Sequence, residues 1–172
     1  SRRGTREDDV LHGLAAELGH VIIDPDGPPC NCGFAGHVES FCSGPAITRF
    51  VREQLGQGAR SALRADGPLD PRSIADAARA GDPLGILAFE RAGTYLGIAV
   101  ASFLHTFDPS IVVFGGGVSR AGPLLFDPFR SSLKARVFHP RYLEHLQIEM
   151  AALGDDAGLL GALALAQISM KS

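Results

Sequence analysis

The chain has 172 residues, of which 45% are hydrophobic and 20% charged, and its formal net charge is −3. This length and apolar content can bury one sizeable core, so we expect a globular domain, and the small negative charge disfavours a nucleic-acid surface. No apolar run approaches the roughly 20 residues that span a bilayer, and no signal-peptide pattern is present. Three cysteines suit a reducing cytoplasm better than a disulfide scaffold, so we expect a cytoplasmic protein.

Residues 1–14 are predicted to be a frayed, solvated segment. They carry a Gly-Thr pair at Gly4-Thr5, which could suggest a phosphate loop. Charged neighbours and the lack of a preceding apolar strand argue against that interpretation. The main domain is therefore predicted over residues 15–172.

Two histidines and two cysteines are concentrated in the next Pro/Gly-rich stretch. His20, Cys30, Cys32 and His37 bracket the turn-forming sequence Asp-Pro-Asp-Gly-Pro-Pro. Two thiolates and two neutral imidazoles suit a closed tetrahedral Zn²⁺ site, which would supply folding energy to this loop. The alternative is a set of buried cysteines and surface imidazoles that hold no metal. The density of ligands favours a structural zinc loop at residues 20–39.

The residues around this loop predict a strand and a helix. His20–Ile23 is a short apolar run that ends at the turn and is predicted to be a strand. A helix is predicted to begin near Ser43 or Gly44 and to end at Gly56. For the third cysteine, Cys42, a buried and unreactive thiol is favoured over a fifth ligand.

Two Asp-Pro pairs predict the starts of two further helices. Residues 56–71 are rich in Gly, Ala and Asp and are predicted to be a linker or mobile excursion. Asp70-Pro71 then opens a short helix, and Asp82-Pro83 opens a long one that reaches about Phe107. The long helix is apolar nearly all round from Leu96 to Leu104, which predicts burial between layers.

A strand and a glycine turn follow the long helix. Ile111–Phe114 is a continuous apolar run, which predicts a strand in the interior of a sheet covered on both faces. Gly115-Gly116-Gly117 comes directly after it. A glycine turn between a strand and a helix lets backbone N–H groups approach a nucleotide, although three glycines also form ordinary tight turns.

The last third of the chain repeats this organisation. Residues 123–137 are amphipathic, and Pro128 predicts that their helix is broken into two. Gln147–Leu153 alternates as a strand, residues 154–158 form a turn, and Leu159–Ile168 is predicted to pack as an Ala/Leu helix.

Four motifs occur in a fixed order along the chain. They are Glu17-Leu18-Gly19-His20, Cys30-x-Cys32-Gly33-x-x-Gly36-His37-x-Glu39, Ser43-Gly44-Pro45-Ala46 and Phe114-Gly115-Gly116-Gly117-Val118-Ser119. Their order and spacing closely resemble the ROK family (repressors, open reading frames, sugar kinases). The resemblance runs from about Ala15 to about Leu165 and corresponds to the later part of a family member. In the family the position of His37 is usually a third cysteine, and histidine can replace it as a zinc ligand.

The resemblance implies a fold and a set of site residues. The fold is α/β and ribonuclease H-like, of the actin-type ATPase class, here its C-terminal domain with a mixed sheet flanked by helices. Glu17, His20 and Glu39 are expected to contact a hexose, with His20 also on zinc; the alternative for the two glutamates is plain surface charge. The adenosine side of an ATP cleft is expected at Gly115, Gly116, Gly117 and Val118.

The same resemblance implies the C-terminal part of an ATP-dependent kinase acting on a glucose-like hexose, with Mg²⁺ accompanying ATP in the complete enzyme. The family's Asp-x-Gly-Gly-Thr and Gly-Thr-Gly phosphate loops and its Asn-Asp catalytic motif do not occur in this sequence. We therefore expect no turnover by this chain alone. The alternative is the sugar-sensing domain of a ROK transcriptional repressor, in which this segment would not itself contact DNA.

The resemblance also implies a homodimer, because the family commonly dimerises through its C-terminal domain. The long helix offers an apolar surface for this contact, formed by Leu96, Ile98, Val100, Phe103 and Leu104. The alternative is that this helix is buried within its own domain and the protein is monomeric.

Overall fold

The computed structural model describes residues 16–153 and 157–169. The elements are, in chain order, α1 (Glu39–Cys42), α2 (Gly44–Gly56), α3 (Pro71–Arg79), α4 (Pro83–Phe107), β1 (Ile111–Phe114), α5 (Pro123–Arg136), α6 (Arg141–Glu144), β2 (Gln147–Met150) and α7 (Ala157–Ser169). Two 3-10 helices lie at Leu18–His20 and Gly117–Ala121. The segment predicted to be frayed, which includes Gly4-Thr5, and residues 154–156 of the predicted turn lie outside the described residues.

The predicted helix starts at the Asp-Pro pairs are confirmed. The side chain of Asp70 accepts the backbone N–H of Ser73 at 2.7 Å, and the Ser73 hydroxyl closes a reciprocal capping box. Asp82 accepts the N–H groups of Leu84 at 3.0 Å and Gly85 at 2.9 Å. Each acid therefore satisfies donors of the first turn that have no partner within the helix.

The long helix α4 packs against α1, α2, α3 and α5, which agrees with its predicted burial between layers. Glycines on α4 allow α5 to approach closely: a Cβ built on Gly97 would lie 2.5 Å from the Ser132 side chain. Val100 and Leu104 belong to the apolar surface predicted to form a dimer contact, but both are buried within the domain. By length and composition α4 could cross a membrane, but 56% of the relevant 18-residue window is buried inside the protein, as in a core helix.

The predicted break at Pro128 is wrong, since α5 is one continuous helix from Pro123 to Arg136. Proline removes one backbone hydrogen bond and normally kinks a helix. Here the proline ring packs on α4 at Gly93. The approach is so close that a Cβ built on Gly93 would lie 2.7 Å from Pro128 Cγ. Close tertiary packing therefore holds α5 together across the proline.

The strands β1 and β2 form a parallel pair, with Ile111 opposite Gln147 and Phe114 opposite Met150. The prediction that β1 is covered on both faces is wrong, because the side chain of Val113 is 56% exposed while Phe114 packs against the core. The α/β class is confirmed, with a small parallel sheet in the described residues. A mixed sheet of the ribonuclease H-like type stays a prediction.

The segment between α2 and α3, predicted to be a linker or mobile excursion, has no helix or strand and is docked on the domain. Asp82 accepts the Ser61 hydroxyl at 2.9 Å and the Ala62 N–H at 2.6 Å. Leu63 and Leu69 pack against the core. The cap of α4 is therefore also the attachment point of this segment.

The last helix, α7, forms where it was predicted, but it does not pack as expected. Its large apolar side chains are exposed at Leu159, Leu160, Leu163, Leu165 and Ile168. Ile111 and Val113 of β1 are exposed as well.

Candidate metal and sugar site

The four predicted metal ligands come together in space. One ligand atom from each of His20, Cys30, Cys32 and His37 lies within 4.8 Å of the others. The Sγ of Cys32 is 3.2 Å from Nδ1 of His37, and the two histidine rings are 5.3 Å apart in an edge-to-face arrangement. Cys30 and His37 are buried, whereas Cys32 is exposed. Two sulfur and two nitrogen donors converging on one point fit the preferences of Zn²⁺.

Backbone hydrogen bonds fold the loop so that its ligands meet. The N–H of Cys30 donates to the carbonyl of Phe34 at 2.7 Å, and the N–H of Gly33 donates back to Cys30 at 3.1 Å. Gly33 has a φ of +95°, a conformation that other residues rarely adopt. The N–H of Gly36 then donates to Pro28 at 3.0 Å. These hydrogen bonds reverse the chain direction after Cys30, which places the thiols of Cys30 and Cys32 on the same side of the loop.

The strand predicted at His20–Ile23 is wrong. Leu18–His20 is a 3-10 helix, and Ile22 makes only an isolated antiparallel bridge with His37. This bridge is enough to form the cluster, because it brings His20 next to His37.

The three predicted sugar-binding residues also lie together. His20 Nδ1 is 3.2 Å from Oε2 of Glu17, and His20 Nε2 is 3.7 Å from Oε2 of Glu39. The side chains of Glu17, His20 and Glu39 are 59%, 37% and 42% exposed, so they are accessible to a solute. Glu39 is held by the first turn of α1 and Glu17 directly precedes the 3-10 helix. The arrangement presents two carboxylates around one imidazole, next to the metal ligands.

An aromatic stack that sequence reasoning missed anchors this loop to α4. The hydroxyl of Tyr95 donates to Asp24 at 3.3 Å, and the Tyr95 ring stacks on Phe41 with centroids 3.8 Å apart. The guanidinium of Arg91 lies 4.8 Å from the Phe41 ring centroid. Burial, followed by the charge of Asp24, raises the pKa of Tyr95, so the phenol stays a donor at neutral pH. These residues carry no sequence motif, since Asp24 and Tyr95 are far apart in the chain.

Cys42 does not belong to the metal cluster. Its Sγ donates to the carbonyl of Ala92 at 3.4 Å, and burial raises the pKa of its thiol to about 12. By its exposed area Cys42 is half-buried rather than fully buried. The raised pKa of its thiol agrees with the predicted unreactive cysteine.

A separate cleft of about 730 Å³ lies between α3 and the 3-10 helix Gly117–Ala121. Of the predicted nucleotide-binding residues, Gly117 and Val118 line it, whereas Gly115 and Gly116 precede it without lining it. The opposite wall was missed by sequence reasoning and comes mainly from α3, with Asp70, Pro71, Arg72, Ala75, Asp76 and Arg79.

A hydrogen bond joins the walls of this cleft: Arg79 donates through Nη2 to the carbonyl of Arg120 at 3.2 Å. Within α3, Arg79 also pairs through Nη1 with Asp76 at 2.8 Å. Gly44, at the start of α2, also lines the cleft, and a Cβ there would lie 3.6 Å from Val118 Cγ2. Because Gly44 closely follows α1, the cleft begins near the helix that carries Glu39.

Comparison with known proteins gives relatives of two kinds. The Thermotoga maritima glucokinase is 40% identical over 154 residues, which cover 87% of this chain and 48% of that protein. A ROK family glucokinase from Streptomyces griseus, solved in complex with glucose and AMPPNP, is 35% identical with a TM-score of 0.75 over 95% of this chain and 53% of its own. A ROK family transcriptional regulator, homologous to the E. coli MLC protein, is 31% identical with a TM-score of 0.70 over 77% of this chain and 33% of its own.

The chain spans about half the length of the curated glucokinases it matches. The model of the ROK family matches residues 10–169, nearly the whole sequence. The motifs, the clustered ligands and this match agree, and the chain belongs to the ROK family.

Proposed function

We propose that this chain is the C-terminal part of an ATP-dependent hexose kinase of the glucokinase type, with a ribonuclease H-like fold. The observation that carries the proposal is the position of His20 between Glu17 and Glu39, within a cluster of four side chains whose donor atoms suit a metal ion. The similarity to glucokinases, one of them bound to glucose and AMPPNP, supports it.

A structural Zn²⁺ would be held by His20, Cys30, Cys32 and His37, with His37 in place of the cysteine usual in the family. When bound, the ion supplies a tetrahedral cross-link that holds the loop in one conformation. The turn from Cys30 to Phe34 pre-arranges the thiols for this role. Because His20 is shared between the two clusters, ordering the loop also orients its imidazole toward a sugar.

A hexose would be held by Glu17, His20 and Glu39. Ionised carboxylates only accept hydrogen bonds, so two of them can each receive neighbouring sugar hydroxyls and fix the ring's orientation. The imidazole adds a third polar contact. The part of this chain in the reaction is therefore to bind and orient the acceptor hydroxyl.

The adenosine side of ATP would lie in the cleft bounded by Gly117 and Val118, following the Gly115-Gly116 turn. Its volume of about 730 Å³ is within the roughly 300–1,000 Å³ typical of ligand pockets. In the complete kinase an aspartate would deprotonate the sugar hydroxyl for attack on the γ-phosphate of Mg·ATP. The Asn-Asp motif that carries this aspartate does not occur in the sequence. The chain alone would therefore not phosphorylate a sugar.

The sugar-sensing domain of a ROK repressor is the second candidate, favoured by the similarity to the transcriptional regulator. In that case the same carboxylates and imidazole would bind an effector sugar. The coding sequence upstream of Ser1 separates the two: a glycine-threonine phosphate loop indicates a kinase and a basic helix-turn-helix a repressor. Under either proposal the protein is cytoplasmic and homodimeric, and this segment makes no direct nucleic-acid contact.

Calorimetric titration with glucose tests the shared sugar site. The zinc-loaded chain is expected to bind, and Glu39→Gln is expected to weaken binding about tenfold or more, since a hydrogen bond to a charged group contributes roughly 1.5–3 kcal/mol. Glu90→Gln, at an exposed position on α4, is the matched control. Equal affinity of Glu39→Gln and the unmodified chain would exclude Glu39 from the site.

A further inference from the structure

Arg49 on α2 connects the metal loop to the helix that carries a sugar-binding carboxylate. Its Nη1 donates to the carbonyl of Pro29 at 3.0 Å, and its Nη2 donates to the carbonyl of Ser40 at 2.8 Å. Pro29 directly precedes the metal ligand Cys30, and Ser40 directly follows Glu39. One guanidinium therefore binds the neighbours of a metal ligand and of a sugar contact.

The surroundings of Arg49 hold its guanidinium in this orientation. Its Nε lies 3.8 Å from Oε1 of Glu53 one turn along α2, and the Arg49 side chain is only 31% exposed. Ser40 in turn contacts another of the four clustered residues, because its hydroxyl donates to the carbonyl of His37 at 2.7 Å. The planar fork of arginine presents its N–H donors to the two carbonyls at a fixed separation, whereas the ammonium of lysine is a compact donor without that fixed geometry.

We propose that Arg49 is a positioning residue that fixes the loop at Cys30 relative to the Glu39 carboxylate. Its consequences for zinc and hexose rest on the proposed function, whereas its effect on the loop backbone does not depend on any ligand. Removing Arg49 abolishes both carbonyl contacts at once. The loop at Cys30 and the backbone beside Glu39 then lose their common contact with α2. Binding of a metal or a sugar then includes the free-energy cost of ordering its own site.

The test compares Arg49→Met and Arg49→Lys with Arg52→Met, a change at an exposed position of the same helix. Hydrogen exchange of the metal-free chain is measured at the loop amides of Cys30 and Val38, which donate to backbone carbonyls in the loop region. Arg49→Met is expected to accelerate exchange there and leave α5 unchanged. Arg49→Lys is expected to give an intermediate effect, and Arg52→Met none.

Zinc and hexose affinities supply the second readout. Competition with a chelator is expected to show a roughly tenfold loss of zinc affinity in Arg49→Met, the lower end of the effects seen for residues that support metal ligands. Glucose affinity is expected to fall in the same variant.

The outcomes separate this proposal from the one on which it rests. Loop amides that exchange at the wild-type rate in Arg49→Met overturn it, and so does equal acceleration in α4 and α5, which would show a general stabilising role. An unmodified chain that binds no zinc or glucose refutes the proposed function, while hydrogen exchange still decides the role of Arg49. Should Arg49→Met fail to fold, Arg49→Lys provides the same comparison.

Discussion

Gly36 lies directly against the carbonyl oxygen of Asp24, so closely that a Cβ built on Gly36 would overlap that oxygen. Gly36 has a φ of +76°, and its own carbonyl accepts the N–H of Ile23 at 2.9 Å. This is where the chain entering the metal loop crosses the chain leaving it. The loop can close on its four ligands only because the crossing residue has no side chain.

Gly36→Ala should therefore cost more stability than its backbone conformation alone requires. A left-handed alanine costs roughly 1–2 kcal/mol, and the overlap with Asp24 adds to it. The matched control is Gly58→Ala, where φ is +87° but no atom lies within 4 Å of the added Cβ. Urea unfolding measures both variants, and equal losses of unfolding free energy would show that the crossing tolerates a side chain.

Cys32→Ser should release zinc and loosen the loop over residues 24–40. We expect about one zinc per unmodified chain by metal analysis, a much lower content in the variant and faster hydrogen exchange in the loop. Cys42→Ser is the control, because Cys42 lies outside the ligand cluster and should leave the zinc content unchanged. Folded, unmodified protein without zinc would contradict the metal site.

Asp82 should make stability fall in acid. Burial by itself would raise the pKa of Asp82, but hydrogen bonds from the N–H groups of Gly85 and Ala62 and from the Ser61 hydroxyl outweigh it and lower that pKa. The folded pKa is thus below the unfolded one, so the contribution is present above the unfolded value of about 3.9 and is lost as pH falls through the folded value.

Asp82→Ala should accordingly lower the unfolding free energy by about 2 kcal/mol at pH 7, the upper end for a helix cap, and flatten its decrease below about pH 4. Urea midpoints at both pH values measure this, with the exposed Asp66→Ala as control. An acid dependence in Asp82→Ala as steep as in the unmodified chain would exclude Asp82 as its source.

The 172-residue chain should show no ATP-dependent phosphorylation of glucose, because its sequence contains no family aspartate base. A coupled assay for ADP release measures this, and a glucokinase that contains the family's phosphate loops and Asn-Asp motif is the positive control. Turnover near the kinase-like rate of about 1 s⁻¹ or above by this chain would refute the expectation.

Association should proceed through a surface other than α4, which α5 covers. The exposed apolar side chains of β1 and α7 are the candidates, and large exposed apolar surfaces commonly bind a partner. Light scattering at micromolar concentration is expected to give twice the 18.1 kDa chain mass. Val113→Glu should reduce it, whereas Leu87→Glu, at an exposed position of α4, should not. A mass near that of one chain in the unmodified protein would reject the homodimer.

Features set by short-range chemistry could be predicted from the sequence. Asp70 and Asp82 cap helices through hydrogen bonds to backbone groups two or three residues away, so the local sequence contains both partners. The clustering of two cysteines and two histidines could be predicted because their residue types and spacing are themselves the signal. The family motifs likewise pointed to Glu17 and Glu39, which lie beside His20 in the structure.

Other features depended on which distant segments meet. Three features join residues that are far apart in the chain, so no local sequence pattern predicts them. They are the α3 wall of the cleft, the hydrogen bond between Ser61 and Asp82, and the contact of Arg49 with Pro29. An apolar run such as β1 has the same composition whether one face or both are covered, so its exposure follows from its neighbours in space. Long-range packing decides these points, because each contact requires the rest of the domain to place its partner.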